Sequence, residues 1–119
     1  MNYKKGDIVV VKFPFILKED IERRKGRPAL VVFDDRVERR YKDVILAAIT
    51  SQIPEKIMEL ELILEPIELT GLAKKSLLRL DFIMTTPEEL ISRKIGVLPR
   101  NVEKEVEGKL KRALGVNTT

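Results

Sequence analysis

Two short apolar segments of matched length constrain this chain more than anything else in it. One is Arg27-Pro28-Ala29-Leu30-Val31-Val32-Phe33, and the other is Val44-Ile45-Leu46-Ala47-Ala48-Ile49-Thr50. The polar stretch 34–43 joins them. Both are apolar on both faces over much of their length, as strands in the middle of a sheet are. Their link is too short for the crossover that parallel strands need, so the pair must be antiparallel. Placing Phe33 across from Val44 then puts Arg27 across from Thr50, with both side chains on one face. A guanidinium beside a hydroxyl, at the mouth of an apolar sheet, is a candidate anion or phosphate site.

The rest of the chain supplies further short elements. Residues 7–13 form a β-branched run that stops at Pro14. Residues 16–26 are mostly charged and lack core periodicity, which predicts a mobile flap leading into Arg27. Residues 57–64 alternate, with Met58, Leu60, Leu62 and Leu64 on one side and Glu59 and Glu61 on the other. A loop containing Thr70-Gly71-Leu72 precedes another strand, 76–84, whose Leu78, Leu80, Phe82 and Met84 share a face. Thr86-Pro87-Glu88-Glu89 predicts a helix start, with Thr86 as N-cap, Pro87 at the first position and Glu89 closing a capping box. That helix is about two turns long and ends near Arg93. Residues 94–98 are a brief strand. A C-terminal helix follows from about Pro99 to Leu114, stopped by Gly115. Several short strands and one terminal helix predict a mainly β fold, a small and strongly bent antiparallel barrel with appended helices. At 119 residues, it is a single domain spanning 1–119.

Composition narrows the chemistry. There is no Cys and no His, which removes thiolate chemistry, the commonest general base and the commonest transition-metal ligand. A net charge of +4 favours a polyanionic partner without demanding one. Charges interrupt every apolar run before it reaches membrane-spanning length. The N-terminal Met1-Asn2-Tyr3-Lys4-Lys5-Gly6 leads into no signal-peptide core, so the expected location is the cytoplasm. With 35% charged residues, one Gln and three Asn, the chain has a thermophile-like composition.

Each candidate residue also has a plain reading. Arg27 can be an active-site cation or a solvated strand-leading residue. Thr50-Ser51-Gln52 can bind a phosphate or be an ordinary strand end. Arg23-Arg24-Lys25 can approach a nucleic-acid backbone. The cluster Arg36, Arg39, Arg40 and Lys42 is interleaved with Asp34, Asp35 and Glu38, and reads better as a mixed solvated surface. Ser76, after Lys74-Lys75, can line the same groove as Arg27 or merely start a strand. Glu59 and Glu61 read as a solvated strand face, and no acidic spacing suits a metal site.

Taken in order, several short motifs carry a resemblance. They are Lys5-Gly6-Asp7-Ile8-Val9, Gly26-Arg27-Pro28-Ala29-Leu30-Val31-Val32 and Ala48-Ile49-Thr50-Ser51-Gln52. Thr70-Gly71-Leu72 with Ser76, and Ile95-Gly96-Val97-Leu98 before a final helix, complete the set. In these the chain resembles the MazF/PemK family of toxin endoribonucleases over nearly its whole length. The resemblance implies an SH3-like barrel, usually a homodimer. It also implies a type II toxin that cuts single-stranded RNA selectively without a metal or other cofactor, and a cognate antitoxin that occupies the RNA groove. Carried over by position, the catalytic pair is Arg27 and Thr50, with Arg24, Lys25, Ser51, Gln52 and Ser76 expected to bind substrate. Where family members often carry a Gln and a basic residue after the matching Ser, this chain has Leu80-Asp81-Phe82-Ile83-Met84, and Arg79 is the substitute for the missing cation. The rival expectation is a catalytically inactive SH3-like barrel that binds nucleic acid or protein through one face.

Overall fold

The computed structural model describes residues 2–12 and 26–116. Six strands of the described residues make one sheet: β1 (Asp7–Val11), β2 (Arg27–Val31), β3 (Asp43–Thr50), β4 (Glu61–Leu64), β5 (Ser76–Pro87) and β6 (Ile91–Val97). A single α-helix among the described residues, α1 (Glu103–Leu114), follows. Every ladder is antiparallel, and the strand order is β4-β5-β3-β2-β1-β6. The mainly β antiparallel fold expected from the sequence is the fold found.

The middle of the sheet buries both faces, as the unbroken apolar runs require. Ile8, Leu30, Ala47, Ile49, Leu78 and Leu80 form one core, which Val106 and Leu110 of α1 help to cover. Val9, Val11, Ala29, Val31, Val44 and Leu46 form a second core on the other face, with Tyr3 and Ile91. One sheet can supply both cores because it curls. The bend lies in β5, where the ladder to β3 jumps from Ala47↔Ile83 to Ala48↔Arg79 and leaves residues 80–82 without partners on β3. The Leu80 N–H turns instead to the Leu60 carbonyl at 2.9 Å. Such a bulge bends a strand and re-aims its side chains. Leu78 and Leu80 therefore enter the first core while Met84 packs on the second, and the single face predicted for 78–84 does not hold.

The loop between β4 and β5 meets β6 where the sheet curls round. The Val97 N–H donates to the Leu69 carbonyl at 2.9 Å. Thr70 is fully buried, and its hydroxyl donates to the Glu65 carbonyl at 2.8 Å, pinning the loop to itself. Gly71 adopts φ +69°, and a Cβ there would lie 1.9 Å from the Ile95 carbonyl oxygen. A Cβ on Gly96 would lie 2.2 Å from the Thr70 carbonyl oxygen. Two glycines thus let two backbones touch. Among the described residues, this backbone contact, and no β4–β6 ladder, joins the two edges.

The helix predicted to start at Thr86 is not formed. β5 continues through Thr86, which pairs with Val44 and is buried, to Pro87. Only one 3₁₀ turn, Glu88–Leu90, follows, without a side-chain cap, before β6 begins at Ile91. The capping signal is local, whereas Thr86 gains a ladder partner and Ile91 gains the second core, so tertiary pairing prevails. Other boundaries shift less. β4 starts at Glu61 rather than 57, because Met58 and Glu61 close a turn: the Met58 N–H donates to Glu61 Oε1 at 2.7 Å. A 3₁₀ turn, Arg100–Val102, precedes α1, and Gly115 ends it at φ +71°. Of the charged segment 16–26 read as a flap, residues 16–25 lie outside the described residues, as does Phe13 at the end of the first predicted strand.

Candidate active site

The site is built at one end of β2 and β3. Their ladder pairs Ala29 with Ala48, Leu30 with Ala47 and Val31 with Leu46, the register expected from the sequence. The ladder ends at the Ala29–Ala48 pair, and the same register carried two residues further sets Arg27 across from Thr50. Arg27 is flanked on its other side by β1, through Val11, and Thr50 by β5, through Leu77. Both side chains are half-buried. Alternation assigns them to the face that carries Ala29, Val31 and Leu46. The Thr50 hydroxyl accepts the Gln52 N–H at 3.1 Å, which leaves its own proton available to donate. The glycine before Arg27 is a packing requirement, since a Cβ on Gly26 would lie 2.2 Å from Cγ1 of Val10.

The other substrate-binding candidates divide. Arg79 stands opposite Ala48, on the face that carries Thr50. It makes two hydrogen bonds to Asp81, at 3.2 and 3.1 Å, and stacks 5.3 Å from the Phe82 ring centroid. The hydrogen bonds to Asp81 raise the guanidinium's pKa and lower that of the carboxylate. Ser51 and Gln52 are exposed beyond the end of β3. Ser76 is buried at the head of β5, and its hydroxyl donates to the Lys74 carbonyl at 2.8 Å. Arg24 and Lys25 lie outside the described residues. The cluster after β2 behaves as the mixed surface expected of it: Arg36 holds Asp34 through two hydrogen bonds of 2.9 Å, and Arg39 lies 4.7 Å over Phe33.

Beside Arg27, on the face to which Pro28 and Ile49 alternate, lies a cleft of about 380 Å³. Val10, Pro28, Ile49, Leu72 and Ile95 give it an apolar floor. Ser51 and Ser76 line it, together with Arg27, Lys74 and Arg93. No carboxylate lines it among the described residues. Arg93 is the residue that sequence reasoning missed: assigned to the end of a helix, it had no place near the site until β6 brought it there. Lys74 was visible only as a neighbour of Ser76.

The curled sheet with its terminal helix is a fold shared with several solved structures. A MazF from Deinococcus radiodurans is 23% identical, with a TM-score of 0.72, over 97% of this chain and 98% of that one. The Mycobacterium tuberculosis toxin MazF-mt6 is 20% identical with a TM-score of 0.73, over 94% and 99%. An endoribonuclease from a mycobacterial species, solved in complex with its cognate antitoxin, is 15% identical with a TM-score of 0.73, over 99% and 98%. No curated protein is significantly similar in sequence. Residues 4–114 match the family of PemK-like, MazF-like toxins of type II toxin–antitoxin systems, and the chain belongs to that family.

Proposed function

We infer that this protein is a sequence-selective endoribonuclease toxin that cuts single-stranded RNA without a metal ion. The observation that supports the reading is the β2–β3 register, which, carried two residues beyond the Ala29–Ala48 pair, would bring a guanidinium and a hydroxyl together beside a cation-lined cleft. RNA brings its own nucleophile. The 2′-oxygen bonds to the adjacent phosphorus and its proton passes to solvent. The P–O5′ bond then breaks, and the departing oxygen takes up a proton, leaving a 2′,3′-cyclic phosphate and a 5′-hydroxyl.

Such a reaction needs in-line alignment and stabilisation of charge on the phosphorane. Arg27 supplies the charge and a two-pronged grip on the non-bridging oxygens. It stays protonated, so its role is electrostatic rather than that of a base. Thr50 donates its hydroxyl proton to a phosphate oxygen or to the leaving 5′-oxygen. Ser51, Gln52 and Arg79 contact the flanking nucleotides, joined by Arg24 and Lys25. The Ser76 hydroxyl is used by Lys74, so it meets substrate as an acceptor or holds Lys74 in place. The working form is a homodimer, kept in check by a cognate antitoxin. Support for the antitoxin comes from the family and from the antitoxin-bound neighbour.

The test is cleavage of single-stranded RNA by the purified protein in excess EDTA, with end-group analysis. Cyclic-phosphate ends are expected, and abolition of cleavage by EDTA refutes the metal-free mechanism. A wild type that cuts no RNA yet binds a partner through this face turns the protein into a binding module.

A further inference from the structure

A second pocket lies at the other end of β2, beneath α1, with a volume of about 230 Å³. Leu30 of β2, Val32 just after it, Leu98 after β6, and Val106 and Leu110 of α1 give it apolar walls. The backbone that borders it is already engaged. The Gly6 N–H donates to the Val31 carbonyl at 2.9 Å, and the Gly6 carbonyl accepts the Leu98 N–H at 2.8 Å. No buried side-chain nitrogen or oxygen among the described residues lacks a partner. The interior therefore asks for an apolar body. The space exceeds the cavity of about 150 Å³ that takes up benzene. It is smaller than pockets for drug-sized ligands, which run from about 300 Å³. A body the size of one aromatic ring with a short linker suits it.

The charged groups that line the pocket, Lys5, Glu103 and Glu107, are all exposed, which puts them at its mouth. Lys5 and Glu107 hold each other, Nζ to Oε2 at 2.8 Å. Glu103 precedes Glu107 on α1 and makes no ion pair among the described residues. An anionic head on a ligand would have to take Lys5 from Glu107. A cationic head meets Glu103 and breaks nothing. We propose that this pocket is a binding site for a small amine, whose ring-sized apolar body lies between β2 and α1 and whose ammonium pairs with Glu103. The site stands apart from Arg27 and Thr50 and does not depend on the ribonuclease reading. A bound amine touches the chain before β1, the end of β2 and α1 at once. It fastens the helix to the sheet and stabilises the folded chain by mass action.

The test uses three probes of similar shape and different head: phenethylamine, phenethyl alcohol and hydrocinnamate. Each is titrated into the full chain while NMR follows the methyl groups of Leu98, Val106 and Leu110. A ligand of this size should bind with a Kd of about 0.1–10 mM. The amine should bind roughly two- to fivefold more tightly than the neutral alcohol, the range of an exposed ion pair. The carboxylate should bind more weakly than the alcohol. Glu103→Gln should erase the amine's margin and leave the affinity for the alcohol unchanged, and high salt should do the same to the wild type. Val32→Phe should fill the space and abolish binding of all three. If that variant does not fold, Glu103→Gln decides alone. The proposal is overturned if the amine, at the top of that concentration range, shifts none of these methyl signals. It is also overturned if the alcohol or the carboxylate binds as tightly as the amine, if Glu103→Gln keeps the margin, or if a folded Val32→Phe still binds the amine.

Discussion

Gly71→Ala and Gly108→Ala are the same chemical change and should move stability in opposite directions. At Gly71 the φ of +69° is left-handed, which costs a residue with a Cβ about 1–2 kcal/mol. The new methyl would also lie 1.9 Å from the Ile95 carbonyl oxygen. Both partners are backbone, so the loop and β6 must separate. That forfeits the Val97–Leu69 hydrogen bond, worth about 1 kcal/mol net, and part of the burial of Leu72, worth about 1–2 kcal/mol. Against this stands a gain of about 0.4–1 kcal/mol from a stiffer unfolded chain. The net loss is about 2–4 kcal/mol, equivalent to a fall in Tm of about 10 °C. Gly108 sits inside α1 with nothing within 4 Å of its absent Cβ, so alanine there should stabilise by about 0.5–1 kcal/mol. The assay is urea unfolding followed by circular dichroism, since the chain has no Trp. The reasoning fails if Gly71→Ala unfolds within about 0.5 kcal/mol of the wild type, or if Gly108→Ala is destabilised.

Arg27→Ala should lose roughly two to three powers of ten in RNA cleavage, as removal of a transition-state charge clamp does. Arg27→Lys should recover little, because an ammonium lacks the guanidinium fork. Thr50→Ala should lose less than Arg27→Ala, and a larger loss would exchange their roles. Asp34 is held at a pKa of about 2 rather than 3.8, mainly by hydrogen bonds from Arg36. Because the folded value is the lower one, its contribution to stability is present above 3.8 and is lost as pH falls towards about 2. NMR titration should place the Asp34 midpoint there, and Arg36→Gln should return it towards the ordinary value. Leu78→Ala, at a fully buried position of the first core, should cost about 2–5 kcal/mol in chemical denaturation; a loss under about 1 kcal/mol would mean the site collapses freely.

The centre of the fold was legible because the physics there is short-ranged and redundant. Two runs apolar on both faces, with a short polar link, leave few alternatives to an antiparallel pair, and the observed register follows from their equal lengths. The end of α1 was legible at Gly115 for a similar reason. The stretch from Thr86 to Arg93 was not. Its capping signal is genuine, but the competing gains come from Val44 and from the second core, both distant in sequence. With that segment misassigned, Arg93 could not be placed at the cleft. The bend in β5 was also hidden, because a bulge is set by what β3 and Leu60 offer to residues 80–82. Thr70-Gly71 read as a simple loop, since the reason for its glycine lies across the curled sheet on Ile95.

The pairing of Asp7 with Val97 has a consequence for how the molecule comes into being. β1 and β6 lie side by side although nearly the whole described chain separates them, so this ladder closes the largest loop in the fold. A ribosome delivers β1 first and β6 last among the strands. Until β6 arrives, β1 has an open edge, Gly71 has no backbone to touch, and the cleft lacks both Ile95 and Arg93. A nascent chain carrying Arg27 and Thr50 but not β6 therefore has the candidate pair without the wall that Ile95 and Arg93 give the cleft. Completion of the cleft must await the synthesis of residue 97, which keeps a growing toxin unfinished while it is still attached to the message.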